Sequence, residues 1–142
     1  MNKNHTKNII LAEDEPLNQK IAVSMLKKLG YHVSVVSNGL EVLHALENQF
    51  YDLVLMDIQM PVMNGIEAIE LIRKRWSPGP KIVVVTAFAL DSCCELCFDA
   101  GADDLLAKPL KRDELKAAIE RNMPSIPNTS TGIQPLASEL SA

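Results

Sequence analysis

The stretch Asp52-Leu53-Val54-Leu55-Met56-Asp57-Ile58-Gln59-Met60-Pro61-Val62-Met63-Asn64-Gly65 opens on an unbroken apolar run and turns polar at Asp57. A run without alternation suits a strand buried on both faces, as in a parallel sheet covered by helices. Pro61, Asn64 and Gly65 then mark a loop. Ile66, Ile69 and Ile72 follow at helical spacing and predict a helix from Gly65 to about Trp76. The unit is strand, loop, helix, with Asp57 at the carboxyl end of the strand.

The same unit recurs on either side. Apolar runs at Asn8–Ala12, Tyr31–Val36, Lys81–Val85 and Asp104–Ala107 predict four more strands. The second of these alternates more than the others, which suits an edge. Helices are predicted between and after them. Pro16 to Leu29 places Leu17, Ile21, Met25, Leu26 and Leu29 on one face, with Pro16 at the start and Gly30 at the stop. Asn38-Gly39 opens a helix through about Asn48, and Ser92-Cys93-Cys94-Glu95 has capping-box spacing ahead of a helix ending at Gly101. Leu115, Ala118 and Ile119 mark a fifth. Five strand–helix units with short, right-handed connections make an α/β, doubly wound five-stranded parallel sheet flanked by five helices. The expected strand order is 2-1-3-4-5, the flavodoxin-like arrangement, in which ligands bind beyond the carboxyl ends of the strands.

Composition narrows the class. The 142 residues suggest one domain, with hydrophobic residues at 47% and charged residues at 23%. The domain is expected over residues 8–122, after a flexible start at 1–7. Residues 123–142 carry Pro124, Pro127 and Pro135 among Ser, Thr and Asn, which reads as a flexible tail or linker. A net charge of -4 argues against a nucleic-acid surface. No apolar run approaches the roughly 18 residues of a membrane span, and the polar start lacks a signal peptide's apolar segment. Three cysteines close together, Cys93, Cys94 and Cys97, make no disulfide framework, so a reduced, cytoplasmic protein is expected. Cys94 and Cys97 lack a second ligand pair for zinc and read as helix packing. Lys27-Lys28 and Arg73-Lys74-Arg75 read as solvated helix ends, favourable near helix C-termini.

The chemistry gathers at the strand ends. Glu13 and Asp14 follow the first strand, Asp57 the third, Thr86 the fourth and Lys108-Pro109 the fifth. With the first, third and fourth strands adjacent, three carboxylates, a hydroxyl and an ammonium should converge. Two like unit charges about 4 Å apart repel by roughly 4 kcal/mol at an effective dielectric of about 20, so stability alone does not account for such a set. A hard divalent cation with oxygen ligands relieves it, and magnesium keeps positions open for substrate oxygens. Phosphoryl transfer needs a positioned nucleophile, a metal, and cationic or hydroxyl groups on the phosphoryl oxygens. Asp57, alone at its strand end, is the better nucleophile; Glu13 and Asp14 are the better metal ligands. Lys108 and Thr86 suit the phosphoryl oxygens.

In combination, Leu11-Ala12-Glu13-Asp14-Glu15-Pro16-Leu17-Asn18, Met56–Gly65, Val85-Thr86-Ala87 and Ala107-Lys108-Pro109 resemble the receiver domains of two-component response regulators, over roughly residues 8–121. The nearest flavour is the receiver attached to, or served by, hybrid histidine kinases. The resemblance implies a phosphoacceptor at Asp57 and a phosphoryl group from a histidine kinase or histidine phosphotransfer protein. It implies magnesium bound by Asp14, Asp57 and the backbone carbonyl of Gln59, with Glu13 acting through water. It also implies a cis peptide bond at Lys108–Pro109 and a switch in which Thr86 moves toward the phosphoryl group, with Ala87 leaving room. An aromatic residue normally stands three positions before the lysine; here it is Leu105, so the aromatic readout does not carry over, and Phe88 is the alternative aromatic. Kinase contact is expected along the first helix. Output is expected through the face made by the fourth helix, fifth strand and fifth helix, with a homodimer there as one option. Two other readings stay open: a phosphorylation-independent interaction module on the same fold, and a small phosphatase or nucleotide-binding enzyme, the latter weakened by the lack of a Gly-rich loop after the first strand.

Overall fold

The computed structural model describes residues 7–87 and 93–123. The predicted flexible start (apart from Lys7), the predicted tail beyond Met123, the cap at Ser92 and the alternative aromatic Phe88 lie outside them. Strands β1 (Asn8–Ala12), β2 (His32–Val36), β3 (Leu53–Asp57), β4 (Lys81–Thr86) and β5 (Asp104–Ala107) alternate with helices α1 (Pro16–Lys28), α2 (Gly39–Asn48), α3 (Gly65–Arg75), α4 (Cys93–Ala100) and α5 (Arg112–Asn122). The strands form one parallel sheet in the order β2-β1-β3-β4-β5. β2 lies at an edge and is the least buried strand, as its alternation predicted.

The two-residue period of the strands builds two cores. Ile10, Ala12, Val54, Met56, Ile82 and Val84 face a layer holding Val42, Leu43, Ala68, Ile69, Ile72 and Cys97. Ile9, Leu11, Leu53, Leu55, Val83 and Val85 face Ala22, Leu26, Leu115, Ala118 and Ile119. Every residue of β3 is buried, which is why its sequence shows no alternation. No helix among the described residues is long and apolar enough to cross a membrane.

Two expectations need correction. The face of α1 that meets the sheet is centred on Ala22 and Leu26, whereas Leu17 is 64% and Ile21 44% exposed. Ile21 stands one residue, or about 100°, from Ala22 around the helix, which turns it off the sheet. Arg73 is also no solvated helix end. Its Nε donates to the Gly101 carbonyl at 2.9 Å, its Nη1 to the Pro80 carbonyl at 2.9 Å, and its Nη2 to Asp103 Oδ2 at 2.7 Å. Gly101 has φ +124°, and a Cβ there would meet Arg73 Cγ at 2.5 Å, so the turn closing α4 needs glycine on both counts. The three acceptors lie in the turns that enter β4 and β5, beyond any sequence window around the helix.

Candidate functional site

The loop after β3 fixes where Asp57 points. Asn64 caps α3, accepting from Glu67 N–H, while the Glu67 side chain accepts from Asn64 N–H. Gly65 donates its N–H to the Ile58 carbonyl at 2.9 Å. A Cβ on Gly65 would run into the carbonyl oxygen of Asp57 and come within 2.9 Å of Ile58 Cα. The absence of a side chain therefore lets α3 begin directly against the residue that ends β3.

Glu13 is anchored at every polar atom. Its N–H donates to the Val36 carbonyl at 3.0 Å, Oε2 accepts from Glu15 N–H at 3.1 Å, and Oε1 accepts from Lys108 Nζ at 3.0 Å. Its carbonyl accepts from Gln19 Nε2 at 2.5 Å. Sequence reasoning passed over Gln19. The available signal was its place on α1 one turn after Glu15, whose carboxylate caps that helix by accepting from Leu17 N–H.

The structure brings Glu13, Asp14, Asp57 and Lys108 together. One carboxylate oxygen from each of the three acids lies within 4.8 Å of the others. Glu13 and Asp57 are 5% and 7% exposed, while Asp14 is open to solvent. Lys108 Nζ also donates to Asp57 Oδ2 at 3.3 Å. Asp57 Oδ1 receives a long contact, 3.4 Å, from Gln59 N–H.

Burial pushes the Asp57 carboxyl above its usual range; the Lys108 charge opposes this and the Glu13 charge adds to it. Burial alone would lower Lys108, but its hydrogen bond to Glu13 and the charges of Asp57 and Glu13 outweigh it and hold the ammonium above its usual range. The site is thus a cluster of three acidic side chains with the Lys108 ammonium between two of them. Such a set of oxygens fits a hard divalent cation.

Thr86 ends β4, 2% exposed, and its carbonyl accepts from Lys108 N–H at 2.9 Å. Ala87 follows, exposed, in a turn. The Lys108–Pro109 bond is cis. Leu105 is half-buried and packs on the core shared with α2, α3 and α4. Cys97 is buried in that same core.

A sequence model described as the response regulator receiver domain matches residues 9–120. The chain is 38% identical over 120 residues to hybrid signal transduction histidine kinase K of Dictyostelium discoideum, covering 79% of this chain and 10% of that protein. It is 37% identical over 115 residues to the autoinducer 2 sensor kinase/phosphatase LuxQ of Vibrio cholerae, covering 81% of this chain and 13% of that protein. The chain thus spans only a small part of the curated relatives it matches. Among solved structures, the receiver domain of a Pseudomonas aeruginosa PAO1 sensor histidine kinase superposes with a TM-score of 0.79 at 39% identity, covering 85% of this chain and 100% of that one. That structure holds a magnesium ion coordinated in its active-site cleft.

Proposed function

The chain belongs to the response regulator receiver domain family, the signalling module of two-component phosphorelays, and on that footing we propose that it is a phosphoacceptor switch with Asp57 as acceptor. A carboxylate oxygen of Asp57 attacks the phosphorus of a phosphohistidine on a histidine kinase or phosphotransfer protein. The P–N bond breaks, its electron pair returns to the imidazole, and an aspartyl phosphate forms. The observation that carries this reading is the ion-paired cluster of Glu13, Asp57 and Lys108, with Asp14 alongside.

Each residue has a part. Asp14, Asp57 and the Gln59 carbonyl would hold magnesium, with Glu13 acting through water. Bound there, magnesium would neutralise charge on the transferring phosphoryl oxygens. Lys108 would exchange its Asp57 contact for a phosphoryl oxygen, and the Thr86 hydroxyl would donate to another. Phosphorylation adds about -1.5 to -2 charges, and the inward movement of Thr86 past Ala87 would carry the change outward. Leu105 stands where an aromatic side chain usually follows that threonine, so the output surface of α4, β5 and α5 would be reset by aliphatic packing. The exposed Leu96 and Phe98 leave apolar surface on α4 for partners or a second copy.

The test is labelling by acetyl phosphate with magnesium. Label should appear on Asp57, vanish with chelator, and be absent from Asp57→Asn. Labelling of that variant at the unaltered rate would reassign the acceptor. Equal partner affinity with and without a phosphoryl mimic would instead favour the phosphorylation-independent module.

A further inference from the structure

On its α1 side the carboxylate cluster opens into a cavity of about 460 Å³. Glu13, Asp57 and Lys108 line one part of it, and Ile21, Ala22, Val85 and Leu110 line much of the rest. A mostly apolar cavity with a few polar groups, within the roughly 300–1,000 Å³ range, has the make-up of a small-molecule site. Ile21 stands 44% exposed although it is a large apolar side chain, so a ligand covering it would remove apolar surface from water.

Charge selects the class of ligand. Glu13 and Asp57 set two carboxylates against the single ammonium of Lys108, and a carboxylate oxygen of Asp14 lies within 4.8 Å of theirs. Lys108 already donates to both Glu13 and Asp57. An anionic guest meets net repulsion, and a neutral apolar guest desolvates carboxylates without replacing their water. A cation with an apolar body avoids both costs.

We propose that this cavity binds small apolar cations, with a primary ammonium or amidinium head against the Asp57 and Glu13 carboxylates and a hydrocarbon or single-ring body against Ile21, Ala22 and Leu110. The head shares its carboxylates with the divalent cation, so the two ligands compete, and phosphoryl acceptance falls as the organic cation is added. The competition rests on the proposed magnesium site; the binding does not.

Benzamidine is the probe and uncharged benzamide its control, each titrated into the full metal-free chain while backbone amide resonances are followed. Benzamidine should shift Ala22, Asp57 and Leu110, benzamide should not, and millimolar magnesium should weaken benzamidine by about tenfold. Leu110→Trp, which fills the apolar part, should lose the benzamidine shifts and keep those caused by magnesium. If Leu110→Trp fails to fold, Ile21→Ser at an exposed position serves the same purpose. No shifts, equal shifts with benzamide, shifts elsewhere, or indifference to magnesium while magnesium-dependent labelling is intact would overturn the proposal. Acetyl phosphate labelling without benzamidine separates the two readings. Lost labelling with intact competition sinks only the phosphoacceptor, and intact labelling without competition sinks only the cation site.

Discussion

Lys108 Nζ lies 3.3 Å from Asp57 Oδ2 although their strands are not neighbours, because β4 runs between β3 and β5. The lysine reaches over the end of β4 and also meets Glu13 beyond β3, at 3.0 Å. One cation from the sheet's edge strand therefore holds two carboxylates from its centre. Without it, two largely buried acids face each other uncompensated.

Lys108→Ala should accordingly destabilise the metal-free domain by about 1–3 kcal/mol, less than for a fully buried pair because Lys108 is 24% exposed. Magnesium should recover much of the loss, since a ligand of the folded state stabilises it by mass action. Thermal unfolding of both proteins with magnesium and with chelator measures this. An equal magnesium increment in the two proteins would show that Lys108 does not offset the cluster's charge.

Asp57→Asn should act in the opposite direction. Burial, with the Glu13 charge in support, raises the Asp57 pKa in the folded state, so above its ordinary range the ionised carboxylate costs stability. Removing that charge should raise the metal-free midpoint by a few degrees, roughly 1 kcal/mol, despite the loss of the Lys108 contact. The magnesium increment should shrink. A lower midpoint would mean that the ion pair outweighs the burial.

The legible features of the sequence were those that neighbouring residues decide. Leu53 to Met56 read as a fully covered strand because both of its faces meet helices, and Asp57 stood out because it ends that run. The order of five such runs then gave the sheet and the convergence of Glu13, Asp14, Asp57 and Lys108. Features made between distant turns were illegible. Arg73 looked like any basic residue at a helix end, and nothing near it names Pro80, Gly101 or Asp103 as acceptors. Leu17 and Ile21 fit the helical stripe of α1, but periodicity does not say where the sheet beneath the helix ends.

Asp104 supplies a pH test away from the acidic cluster. Burial would raise its pKa, but the Leu105 N–H, Arg121 and Asn122 side chains all favour the carboxylate, and the net shift is downward. A lowered folded-state pKa stabilises above the ordinary aspartate value of 3.8, and the contribution is lost as pH falls through the lower folded value. Asp104→Asn should therefore cost about 1 kcal/mol near neutral pH, discounted because Arg121 is half-exposed. Stability curves of the two proteins should converge as pH falls below the lowered folded-state value. A constant gap across that range would assign the loss to packing rather than charge.

Arg73 ties the turn into β4 to the turn into β5, and the tie depends on guanidinium geometry. Three nitrogens reach three acceptors on two segments, and Asp103 Oδ2 also accepts from Ile82 N–H at 2.8 Å. Arg73→Ala should cost about 2–3 kcal/mol, since the Pro80 and Gly101 carbonyls and the Asp103 carboxylate lose a charged donor together. Arg73→Lys keeps the charge but offers a single nitrogen, so it should recover less than half of that loss. Urea unfolding with an unchanged slope would show that the difference lies in stability and not in a more open folded state. Full recovery by lysine would mean that charge opposite Asp103 is sufficient and that the two carbonyl bonds contribute little.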